Sequence, residues 1–283
     1  MTFEKFTRQV KTILMKILSS LFVILLLLSC GVSKPVITAT TIESNAPVNI
    51  IVHGEAKIQS ISTLKTDTAL LIITYDFYEN QNQGLLPFQD SINFKIVDFV
   101  RSNTEFEIDY DPNKKLSTDF FLTQLTYFDS LSRLESDMLE EGQLWELEST
   151  IDIIEFKNFI ELDLSIWSYT GGAHGNGFTS YSLIDRVNGK ELALSDFIND
   201  VPTFTELAEK YFRAQNEIGE NANLTDEGFW FTDGIFVCNE NFYFEDGNMN
   251  FLFNNYEIAP YSAGQISVSI PLNELKPFLK IQP

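Results

Sequence analysis

The sequence predicts an α+β fold, a mainly antiparallel sheet with two or three packed helices. Three observations lead there. Ala69 to Tyr78 is a β-branched and aromatic run, and Glu161 to Trp167 alternates apolar with polar residues; both are strand patterns. Phe121, Leu122, Leu125, Phe128, Leu131, Leu134 and Met138 recur at steps of three and four, the period of an amphipathic helix. The helical segments interrupt runs of strands instead of alternating with single strands, which separates α+β from α/β.

The chain opens with a basic leader, Lys5, Arg8, Lys11 and Lys16, followed by the apolar run Leu21 to Leu28. That order is the n-region and h-region of a secretory signal. The run is shorter than the ~20 apolar residues a membrane-spanning helix needs. Ser29-Cys30 resembles a bacterial lipobox, which implies cleavage after residue 29 and acylation of Cys30. Residues 1–29 are then a lipoprotein signal peptide. Residues 30–46, rich in Ser and Thr and without periodicity, read as a tether. The expected location is the bacterial cell envelope, on the periplasmic face or outer membrane, held by lipid.

From Val48 the pattern becomes strand-like. After Ala69 to Tyr78 comes a polar loop with Gly84 and Pro87, then a second β-branched run, Ser91 to Val100, read as a strand. The amphipathic helix follows, with Ser117 and Asp119 before it as caps. Residues 143–168 return to strand alternation. Two strands around the glycine-rich YTGGAHGNG (169–177) make a hairpin, and Asn188-Gly189 signals a tight turn. Thr203 to Glu217 is helical, with Pro202 in its first turn. Short strands are expected at Gly234–Cys238, Asn241–Glu245, Asn250–Phe253 and Gln265–Ile270, and a terminal helix at Pro271–Leu279, weakened by Pro277. The division is 47–168 as an N-terminal α+β part and 169–283 as a C-terminal domain.

Residues 1–29 hold four of the 19 basic and one of the 40 acidic residues, so the remainder has a formal charge of −24. Such a surface argues against nucleic acid, whose affinity rests on Lys and Arg at phosphates. It favours encounter with a cationic partner. With Cys30 lipidated, Cys238 is left alone among Phe236, Val237 and Phe242, a setting for a buried, inert thiol. The 25 Phe suit a β-rich core with helices laid on it.

YTGGAHGNG at 169–177, VNGKELALSDF at 187–197 and NNYEIAPYSAGQISVSIPLNEL at 254–275 resemble an exported domain family. It is the domain of RsiV-type anti-sigma factors and of PdaC-type deacetylases, and many of its members are domains of unknown function. The resemblance spans roughly residues 48–280. In RsiV-type relatives the C-terminal region captures lysozyme, and Pro260 and Tyr261 match that motif. The deacetylase activity of PdaC-type proteins resides in a separate domain, so the resemblance implies no enzyme here. The short leader leaves no room for a cytoplasmic sigma-binding part.

The ligand-binding candidates are His174, Gly172, Tyr256, Pro260 and Tyr261. Two roles are open for each motif. Gly171, Gly172, Gly175 and Gly177 either expose backbone N–H groups to an anion or let the chain bend at a sheet corner, with His174 fixing the turn. Tyr256 and Tyr261 around rigid Pro260 form either an interface anchor or a satisfied loop. No P-loop, GxSxG, HExxH or paired-Cys pattern occurs. No catalytic residue, metal ligand or cofactor is therefore assigned. The leading expectation is a lipid-anchored binding module taking a cationic protein such as lysozyme, or a cell-wall glycan such as peptidoglycan. The rival is an enzyme on envelope carbohydrate with His174 as general base.

Overall fold

The computed structural model describes residues 50–61, 67–79, 85–104, 116–139 and 143–283. The expected signal peptide, Cys30 and the expected tether lie outside these residues. Among the described residues, no helix is long and apolar enough to cross a membrane. The expected α+β class is what the chain forms, with five helices and eight strands among the described residues.

Five strands make the first sheet: β1 (Ile50–Ile61), β2 (Thr68–Glu79), β3 (Glu146–Glu155), β4 (Phe159–Tyr169) and β5 (Asn176–Asp185), in sequence order. All pairs are antiparallel except β2–β3, which is parallel. A parallel pair needs a long crossover. Helices α1 (Pro87–Thr104) and α2 (Thr118–Leu139) lie within it. Here the sequence reading is corrected: Ser91 to Val100 lies inside α1, not in a strand. Its buried residues Phe88, Ile92, Ile96, Phe99 and Val100 fall at helical steps, and Asp90 and Arg101 suit the two helix ends. A continuous β-branched run does not separate a buried helix face from a strand.

Both helices cover one face of this sheet. There Tyr75 of β2 stacks on Phe121 of α2, centroids 3.8 Å apart and planes 7° apart, both at most 1% exposed. Gly54 is required opposite them, because a Cβ there would sit 2.6 Å from the Tyr75 ring. Asn93 on α1 gives β2 its outer hydrogen bonds: Oδ1 accepts Tyr78 N–H at 2.9 Å and Nδ2 donates to Tyr78 O at 2.6 Å.

The second half builds on β4 and β5. Helix α3 (Leu194–Phe197) is one turn, and α4 (Val201–Gln215) starts at Asp200, which caps Thr203 N–H at 3.2 Å. Strands β6 (Phe242–Glu245), β7 (Asn248–Phe253) and β8 (Ile266–Pro271) form an antiparallel sheet, turning at Asp246-Gly247 as expected. The strand expected at Gly234–Cys238 is absent. Asp233 and Gly234 have positive φ, and Ile235 and Val237 face solvent while Phe236 is buried, so the alternation exists without a partner strand. The terminal helix α5 covers only Leu272–Leu275, stopping before Pro277.

Two apolar cores result, one between the first sheet and α1–α2, the other around Phe197, Phe204, Phe212, Phe242 and Phe251. Phe159 and Leu183 of the first sheet belong to the second core, while Ile160, Leu162 and Ile184 belong to the first. The β4–β5 hairpin is thus buried on both faces at this end. The expected division after residue 168 falls within this hairpin, so residues on both sides of it share one sheet.

Phe121→Ala opens a cavity beneath Tyr75 and removes a close ring stack. The expected cost is about 3–5 kcal/mol, read from the shift in urea-denaturation free energy of the chain.

Candidate functional site

The glycine-rich connection between β4 and β5 meets the loop between β7 and β8, and the expected ligand-binding residues converge there. His174 stacks on Tyr261 with centroids 3.8 Å apart and planes 15° apart. Tyr256 lies 5.5 Å from Tyr261, tilted by 32°. Both His174 and Tyr261 are tied to one backbone atom: Gly175 O accepts the Tyr261 hydroxyl at 2.7 Å and lies 2.8 Å from His174 Nδ1. An oxygen acceptor there requires the proton on Nδ1. Gly175 must be glycine, because a Cβ would lie 2.4 Å from the Trp167 ring. His174, Tyr261 and Tyr256 thus form an aromatic ladder beside the Gly175 peptide, with Trp167 packed against Gly175 itself.

The remaining positions serve this geometry. Gly172 is exposed at φ +90, and its carbonyl accepts the Tyr169 hydroxyl at 2.9 Å. Pro260, at φ −60, leads into the single 3-10 turn Tyr261–Ala263. Tyr256 is 51% exposed and has φ 64, a left-handed conformation uncommon for a bulky residue. His174 is exposed, and its ring contacts are Gly175 O and Tyr261. Among the described residues, no carboxylate is hydrogen-bonded to its ring.

Sequence reasoning missed what positions the ladder. The outer edge of β5 is satisfied by side-chain amides. Asn254 Oδ1 accepts Thr179 N–H at 2.8 Å, and its Nδ2 donates to Thr179 O at 2.9 Å. Asn241 Oδ1 accepts Tyr181 N–H at 2.8 Å, and its Nδ2 donates to Thr179 O at 3.0 Å. Glu257 braces this clasp, accepting Asn254 N–H at 2.8 Å and Asn239 Nδ2 at 2.9 Å. Gln265 Nε2 adds bonds to Thr179 Oγ1 and Asn254 Oδ1. The density of Asn at 239–241 and 254–255 was the available signal.

Also unforeseen is an acidic row across the face of the first sheet opposite the helices. Pairing places His53 beside Asp76, Asp152 beside Asp163, and Asp163 beside Tyr181, which stacks on Tyr243 of β6 at 4.0 Å. Asp76 receives His53 Nδ1 at 2.5 Å and Ile153 N–H at 3.2 Å. Burial pushes the Asp163 carboxyl up to about 6, with Asp152 and Glu245 adding to the shift. One pair further along the hairpin, Glu161 is 1% exposed and pushed up to about 8, chiefly by burial. No group of three or more His, Cys, Asp or Glu among the described residues has the geometry to hold a metal ion. Cys238 is half-buried and its thiol is pushed up to about 12 by burial, as expected for an inert cysteine.

Residues 194–273 match the family model described as "Protein of unknown function (DUF3298)". This is the domain of RsiV- and PdaC-type proteins that the sequence motifs resemble. A crystal structure of a DUF3298 family member from Bacteroides fragilis is similar, with 20% identity and a TM-score of 0.59, over 83% of this chain and 97% of that one. A DUF3298 family protein from Pseudomonas aeruginosa is similar with 18% identity and a TM-score of 0.51, over 83% of this chain and 95% of that one. These likenesses show a common fold. None of the curated proteins matches.

Asn254→Ala leaves the Thr179 N–H without its acceptor, while Thr179 O keeps Asn241 Nδ2. An unsatisfied group costs about 1–3 kcal/mol, so a clear drop in thermal midpoint is expected. Gly172→Ala, whose Cβ meets nothing within 4 Å, should cost only the left-handed strain of about 1 kcal/mol. The same thermal melts check both.

Proposed function

We propose that this chain is a lipid-anchored capture module of the bacterial envelope, with Cys30 as the anchor and no chemistry of its own. The partner is a cationic protein such as lysozyme, with a cell-wall glycan as the other ligand to test. One observation carries the reading: Tyr256, exposed and held in a left-handed conformation, extends a rigid ladder of His174 and Tyr261. Strain that core packing does not explain points toward a functional use. Aromatics held in place before contact lose little entropy on binding and make strong interface anchors.

Charge chooses between the ligands. The chain carries a formal −21, and −24 without residues 1–29. A basic protein is steered to such a surface, whereas a neutral glycan gains nothing from it. Gly172 and Pro260 shape the rim of the same loops.

Calorimetric titration of the chain with a basic lysozyme and with soluble peptidoglycan fragments tests this at low salt. Binding to lysozyme is expected, and heat from neither ligand would remove the proposal. Tyr256→Gly separates function from stability. Glycine accepts φ 64 without strain, so the melting temperature should hold while affinity falls about tenfold, equivalent to ~1.4 kcal/mol. Palmitate labelling of cells tests the anchor, and label surviving in Cys30→Ala would contradict it.

A further inference from the structure

The two sheets meet at a buried carboxyl group. Glu161 of β4 accepts the backbone N–H of Phe244 on β6 through Oε2 at 2.7 Å and is 1% exposed. Phe159 and Phe244 pack 5.5 Å apart beside it, with Phe197 against both. The charged and titratable groups facing this junction are nearly all acidic. Asp163 lies on the same face of β4, with Asp152 beyond it on β3, and Glu245 comes from β6. Tyr181 of β5 and Tyr243 of β6 close the side, both with hydroxyls held above their usual range by burial. Further along the row stand Asp76 and His53. Among the described residues, no Lys or Arg acts on Glu161 or Asp163.

We propose that this junction is a pH-operated clasp: Glu161 must carry a proton for β6 to seat on β4, and its ionisation loosens the second sheet. The loosening also acts on the aromatic ladder, because His174 and Gly175 belong to the first sheet's hairpin while Tyr256 and Tyr261 come from the β7–β8 loop. A buried carboxylate with one N–H donor and only anions around it is poorly compensated, and removing a charge from water costs several kcal/mol per ion. The neutral acid keeps an oxygen for Phe244 N–H without that cost.

The sign follows from the proton count. Burial raises Glu161 from 4.5 to about 8 and Asp163 from 3.8 to about 6. The seated form therefore binds more protons than the loosened one, and its advantage is complete below the solvated values. It is lost as pH rises through the seated values. From Glu161 alone, opening increases ~tenfold per pH unit between about 4.5 and about 8, then levels off. Control of capture by this clasp rests on the ladder being the binding surface; the clasp itself does not.

Carbon-13 carboxyl titration of the full chain by NMR tests the clasp directly. A Glu161 midpoint near 8 is expected, and one near 4.5 in the folded chain would overturn it. Amide hydrogen exchange supplies the second readout. Phe244 exchange, normalised to a first-core amide such as Ile151, should rise ~100-fold over two pH units within that window. In Glu161→Gln, which keeps the acceptor oxygen and cannot ionise, most of that slope should vanish. An unchanged slope in the variant would overturn the proposal. A Glu161 that titrates near 8 in a chain that binds no lysozyme would leave the clasp standing and remove only the capture reading.

Discussion

The exposed edge of β5 governs the structure. An edge strand presents unpaired N–H and C=O groups that recruit other chains unless they are covered. Here the cover is a pair of side chains. An Asn amide offers one acceptor and two donors in a plane, so it can answer a peptide N–H and C=O together, as a neighbouring strand would. Asn254 answers both groups of Thr179, and Asn241 bridges Tyr181 N–H to Thr179 O. Asn93 does the same for Tyr78 on β2. The sheet therefore ends at β5 without an open edge at these residues, and the second sheet is bound there without joining the ladder.

Everything proposed for function hangs from that attachment. Asn254 sits on the β7–β8 loop that carries Tyr256 and Tyr261, and Asn241 directly precedes β6, so fixing β5 also fixes the ladder beside Gly175. Glu257 ties Asn239 and Asn254 together. Attaching the second sheet buries the other face of β4–β5, and with it Glu161. The same docking that builds the aromatic surface thus creates the titrating carboxyl beneath it.

Parts of this were legible in sequence because their physics is local. The α2 period, the β4–β5 alternation, the Asp246-Gly247 turn and the glycine-rich connection depend on neighbours a few residues away. The α1 run failed the same reading because Ile92, Ile96 and Val97 look alike in a strand and in a helix buried on one side. Ile235 and Val237 failed because alternation alone supplies no partner strand. His174 and Tyr261 each stood out in their own motif, but their stacking and the shared Gly175 carbonyl were not legible there. Nor was the clasp, since Thr179 and Asn254 are 75 residues apart. In ELDL, the inward turn of Glu161 depends on the second sheet arriving from residues 242–271, which local alternation does not register.

Side-chain amides close the β5 edge as firmly as a strand would. Native-state amide hydrogen exchange at Thr179 and Tyr181 measures it most directly, because both N–H groups point away from β4 toward Asn254 and Asn241. Protection within about tenfold of the β4 core amides such as Leu164 is expected. Exchange at the rate of a solvent-exposed edge, with β4 still protected, would contradict it.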